Sequence, residues 1–136
     1  MKVRWWIAAF TLALFAAFSA GTGTLYAQEH EHHWDAHNPR FDDHEHLVVN
    51  NWWAAHREHP VIGFRVEDRL PPEWEPRLQV GFLLDAGWRA RCHPVPADLL
   101  VELPPPPPHY RYYVVGGHVV LVDRGWHVAD VISIRI

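Results

Sequence analysis

The sequence predicts an α+β fold, with two or three short N-terminal helices, a polyproline segment and a C-terminal three-stranded antiparallel β-meander. Three observations lead there. Residues 110–134 are runs of Val, Tyr and Ile broken at Gly116-Gly117 and at Arg124-Gly125. Five consecutive prolines, Pro104 to Pro108, stand directly before those runs. Upstream, apolar residues at helical spacing follow a capping aspartate.

The sheet carries the strongest signal. β-branched and aromatic residues suit a pleated, half-buried surface, and two-residue breaks containing glycine select tight hairpin turns. The strands fall at Tyr110–Val115, His118–Asp123 and Trp126–Ile134. Tight turns also fix register. The first pairs Val115 with His118, Tyr113 with Val120 and Arg111 with Val122. The second pairs Asp123 with Trp126, Val122 with His127 and Leu121 with Val128. One face then carries Tyr112, Val114, Val119, Leu121 and Val128. Of these, Tyr112, Val119, Leu121 and Val128 are the expected sheet core. The other face carries Tyr113, Val115, Val120, Val122, Ala129 and Val131, edged by Arg111, His118 and His127. A sheet wet on one side alternates apolar and polar residues, and this one is apolar on both. Helices and the proline segment must cover both faces, or a second copy must cover one.

Ahead of the sheet, Asp42 or Asp43 caps a helix that runs to about His59, where Pro60 stops it. Leu47, Val48, Trp52 and Ala55 recur on it at helical spacing. A short helix is expected over Trp74 to Val80, with Gly81 in the left-handed position after it. Asp85 caps one turn across Gly87 to Arg91, and Ala97 to Leu103 forms another, stopped by Pro104. The proline run itself adopts polyproline II. It reads as a stiff spacer or as a docking motif for a proline-binding domain.

Residues 1–27 bear the marks of an export leader. Lys2 and Arg4 precede the uncharged run from Trp5 to Ala20, and small residues lead to Ala27. That is the pattern of a secretory signal peptide. The uncharged stretch is also long enough to stay as a membrane anchor. Either outcome places the rest of the chain outside the cytoplasm. Residues 28–40 form a flexible histidine-rich arm, and 41–136 one small domain.

Beyond the leader there are 16 acidic and 10 basic residues, a charge of about −6 with histidine neutral. That argues against nucleic acid, which leaves a basic footprint, and against anionic lipid. Contact with membrane is expected only if the leader remains. Cys92 is the one cysteine, so no internal disulfide forms. It could link two copies. Six tryptophans beyond the leader supply the buried area that disulfides would otherwise replace.

The same stretch lacks lysine and threonine, and its one serine is Ser133, inside a strand. Schiff-base lysine, P-loop lysine and threonine-nucleophile mechanisms are excluded, and no nucleophile elbow surrounds the serine. The expectation is a protein that is not an enzyme. What remains is histidine: all 12 follow the leader, and eight lie between His30 and His59. Candidate metal ligands are His30, His32, His33, His37, His44 and His46. Neutral imidazole suits nickel, cobalt, copper and zinc. No Cys-x-x-Cys or His-Glu-x-x-His spacing marks a preformed site, so weak, exchangeable binding is expected, or none beyond a solvated tail.

The stretch His93 to Asp123, HPVPADLLVELPPPPPHYRYYVVGGHVVLVD, with VADVI after it, resembles the RcnB family of small bacterial periplasmic proteins, in its CigR-like branch. The likeness spans about 45 residues. FDDH, NWWAAH and DRLPPE upstream resemble some members more loosely. Members usually have glycine where this chain has His109, and often Thr-Gly where it has Arg124-Gly125. The resemblance implies a periplasmic or inner-membrane-anchored location, an accessory role in nickel and cobalt homeostasis, or an envelope regulatory role with a protein partner. It carries over no catalytic residue and no ligand set.

Overall fold

The computed structural model describes residues 32–134 and 136; the expectations for the leader, residues 1–27, and for His30 lie outside the described residues. The compact unit runs from His32 to Ile136. Helix α1, Asp43–His56, begins at Asp42, whose side chain accepts from the N–H groups of His44 and Glu45 while Glu45 accepts from the Asp42 N–H. This reciprocal capping box satisfies donors that a helix start otherwise leaves bare. The helix closes at Arg57, short of His59. It buries Glu45, Val49 and Trp52, while Leu47 and Ala55 of the expected apolar stripe stand exposed. The buried face is rotated because Trp52 and Val49 fill the core and Glu45 is held by the cap.

Between α1 and the sheet the chain makes short turns. The helix expected over Trp74 to Val80 is a single 3₁₀ turn, Glu75–Arg77, after which Leu78 is extended. Pro76 sits in the first turn, where its missing N–H has no helical partner, and the turn ends where the backbone becomes extended at Leu78. Gly81 takes φ +89° as expected. Asp85 caps α2, Ala86–Arg89, through the N–H groups of Gly87 and Trp88. Helix α3, Ala97–Leu100, follows Pro96.

The meander is β1 (Arg111–Val115), β2 (His118–Val122) and β3 (Val128–Ser133), in that order. The first hairpin has the expected register, Arg111 opposite Val122 through Val115 opposite His118. Gly116 and Gly117 have φ of +57° and +83°, the left-handed geometry of a primed turn. Space enforces glycine too, since a Cβ on Gly116 would fall 2.4 Å from Leu70 Cγ.

The second hairpin differs from the expected one. Val122 lies opposite Val128, and Leu121 opposite Asp130, with a bulge between. Arg124-Gly125 is not a two-residue turn. The loop has three residues, closed by Trp126 N–H to Asp123 C=O (3.1 Å) and Asp123 N–H to His127 C=O (3.0 Å). Its left-handed residue is Trp126, φ +66°. The Asp123 carboxylate anchors the loop by accepting from the N–H groups of Gly125 and His127.

A one-residue slip turns side chains to the other face. Val128 therefore leaves the layer of Tyr112 and Leu121 and packs with Val115, Val120 and Val122, while Ala129 moves the opposite way. The bulge then returns Val131 to its expected face. All four expected core residues, Tyr112, Val119, Leu121 and Val128, are buried, in two layers rather than one.

Both sheet faces are covered from within the chain, the first of the two arrangements left open by the sequence. Phe41, Val49, Trp52, Phe64, Leu99 and Leu103 cover one. Leu70, Leu78, Leu84 and Trp88 cover the other. The proline run is a structural strut here: Tyr112 donates its hydroxyl to the Pro104 carbonyl at 2.6 Å, and Trp34 donates its indole N–H to Pro105 at 2.8 Å. Polyproline II leaves its carbonyls unbonded internally, so they are free to accept these bonds. Among the described residues no helix is long and apolar enough to cross a membrane.

Candidate functional site

The described part of the expected arm, residues 32–40, is laid against the domain. Trp34 packs on the first core cluster and Pro39 is buried. Its first residue, His32, has a side chain only 5% exposed. The Nδ1 atom of His32 lies 3.2 Å from Asp42 Oδ2 and 3.0 Å from Glu45 Oε2. The Trp34 ring stands 4.0 Å from the imidazole, centroid to centroid, and Trp34 in turn meets Phe41 edge-on. The chain thus folds a histidine back onto the start of α1 under an aromatic cover.

The two carboxylates have divided duties. Asp42 Oδ1 accepts the helical N–H groups, whereas Asp42 Oδ2 faces the imidazole. Glu45 Oε2 accepts the Asp42 N–H at 2.8 Å. Two buried atoms, Glu45 Oε1 and His32 Nε2, have no hydrogen-bond partner. Burial first, and then the hydrogen bond with the Asp42 side chain, raises the Glu45 pKa above the ordinary carboxylate range.

The other candidate ligands are scattered. His33, His37 and His44 are exposed, and His46 sits edge-on to Phe41. Of the candidates that are described, only His32 is set between carboxylates. Histidine counting missed Asp42, which the sequence offers only as a cap candidate, and Glu45.

Elsewhere histidines pair singly with acids. His56 Nε2 is 3.0 Å from Asp98, and His118 bonds both Glu75 and Ser133. His118, expected at the sheet edge, is buried, and His127 is exposed. The Cys92 thiol donates to the Trp88 carbonyl, and its pKa is pushed up by burial to about 11. Its neighbour His93 faces Asp68 at 3.9 Å instead. An apolar groove of about 330 Å³ runs beside the proline strut, lined by Pro94, Val95, Leu100, Pro106 and Tyr113. Leu100 and the adjacent Val101 are 45% and 81% exposed.

No family model and no curated protein matches this chain. Among solved structures, the C-terminal domain of the inner membrane protein CigR from Salmonella enterica is similar. The match has a TM-score of 0.50 and 26% identity, and it covers 64% of this chain and 81% of that one. The likeness is to a CigR domain and does not single out RcnB. The α+β fold with its three-stranded meander is CigR-like.

Proposed function

We propose that this chain is a non-enzymatic, exported module of the bacterial envelope that works by holding a protein partner. It sits in the periplasm, free or anchored in the inner membrane by its leader. The observation that carries this reading is the fold shared with the C-terminal domain of an inner membrane protein. The groove beside the proline strut, with Leu100 and Val101 exposed at its side, supplies an apolar surface of the kind partners cover. Capture of partners from envelope extracts by the tagged full chain, with and without chelator, tests it. A partner held equally in both supports the reading, and a partner lost with chelator favours metal handling.

Metal handling is the second reading. It is the RcnB-like accessory role in nickel, cobalt or other divalent-metal homeostasis, and the observation favouring it is the placing of His32 between two carboxylates.

A further inference from the structure

His32, Asp42 and Glu45 are more than a helix cap with a neighbour. A capping box needs one oxygen from each acid and no imidazole. Here the cap uses Asp42 Oδ1 and Glu45 Oε2. That leaves Asp42 Oδ2 turned to the imidazole and Glu45 Oε1 buried without a partner. Buried polar atoms are nearly always satisfied, and one that is not asks for an explanation.

We propose that His32, Asp42 and Glu45 form a three-ligand site for one divalent transition cation of nitrogen and oxygen preference, such as zinc or cobalt. The spacing suits it. Ligands about 2.0–2.2 Å from an ion lie roughly 2.9–3.5 Å from each other in octahedral or tetrahedral arrangements. The imidazole-to-carboxylate distances are 3.2 and 3.0 Å, and all three ligand atoms lie within 4.8 Å of one another. One imidazole with two carboxylates is a borderline donor set, matched to zinc, cobalt or nickel rather than to calcium or to copper(I).

Charge points the same way. Glu45 is 1% exposed, and the charges acting on it are those of His32 and Asp42. Burial penalises an ionised Glu45 carboxylate, while the Asp42 side chain is 40% exposed. The imidazole leaves Glu45 Oε1 unmet. A divalent ion offsets the buried charge, and bidentate binding by Glu45 reaches Oε1 as well. The Trp34 and Phe41 rings supply an apolar wall of the kind that limits water at metal sites.

The site deepens the second reading above and does not depend on the envelope reading, which is tested by location and partner. The experiment uses the purified full chain, stripped with chelator. Zn²⁺ is titrated by calorimetry and Co²⁺ by visible absorption. One equivalent should bind with a dissociation constant below about 10 µM. Asp42→Asn with Glu45→Gln keeps the cap, since Asn caps as well as Asp and Gln serves at the third position. That pair should weaken binding at least tenfold, with the metal-free melting temperature nearly unchanged. His32→Ala, which takes no part in the cap, should weaken it likewise. His33→Ala with His37→Ala should leave it intact. Wild-type affinity weaker than about 10 µM for both ions overturns the proposal. So does loss of less than tenfold in His32→Ala, whatever the capping variants do.

Discussion

The indole N–H of Trp52 donates to the Asp98 carboxylate at 3.0 Å, tying α1 to α3 across the first core layer. His56 stacks on the same indole and reaches the same carboxylate at 3.0 Å. Two residues of α1 thus converge on one exposed acid of α3.

That convergence sets a pH dependence. The Asp98 pKa is lowered, first by the Trp52 bond and, more weakly, by His56. A depressed carboxyl contributes stability above its unfolded pKa near 4, and the contribution is lost as pH falls through the folded pKa. Asp98→Asn should cost about 1 kcal/mol or less at pH 7, because the carboxylate is largely exposed and solvent screens it. Thermal melts from pH 2.5 to 7 should show the two proteins converging at the acid end. Parallel curves would count against the bond.

His109 has φ +75°, and the RcnB-like pattern has glycine at this place. Left-handed backbone penalises a residue with a Cβ by about 1–2 kcal/mol, and glycine gives part of that back as unfolded-chain entropy. The His109 side chain is exposed, so little is lost with it. His109→Gly should stabilise the fold by roughly 0.5–1 kcal/mol, read as a rise of a few degrees in melting temperature. A fall would show that the ring does something in the fold.

Leu121 is fully buried mid-strand, opposite Tyr112 on β1 and Asp130 on β3. Leu121→Asp should abolish folding, since an unpaired carboxylate would enter an apolar layer. Leu121→Ala should cost about 2–5 kcal/mol. Circular dichroism and limited proteolysis separate the two. A folded Leu121→Asp protein would contradict the layer assignment.

A helix start at Asp42 or Asp43, the first hairpin and the apolar character of both sheet faces were legible in the residues, because each rests on local chemistry. The second hairpin was not. Arg124-Gly125 looks like a turn pair, but the Asp123 carboxylate bonds Gly125 and His127, and the positive φ goes to Trp126. Trp126 is held by stacking on Tyr113 and by Arg89 over its ring, contacts that depend on the finished fold. For the same reason the histidine tract suggested six ligands and hid the carboxylates. Asp42 reads only as a cap candidate, Glu45 carries no signal of its own, and only the fold returns His32 to them across ten residues of chain.

Cys92 tests the covalent-dimer expectation. With its pKa raised to about 11, the thiol at pH 8 is ionised about two orders of magnitude less than an ordinary cysteine. Alkylation of the native protein should be slower by a similar factor and should recover in denaturant. Rapid native alkylation, or a disulfide-linked dimer forming readily in air, would contradict the burial.

The location of the domain is the most direct measure of the account. Alkaline phosphatase fused after Ile136 becomes active only where its disulfides form, outside the cytoplasm. The full chain carrying this fusion should show high phosphatase activity, and protease added to spheroplasts should remove the domain. An intact but inactive fusion, protected from protease, would contradict an exported envelope module.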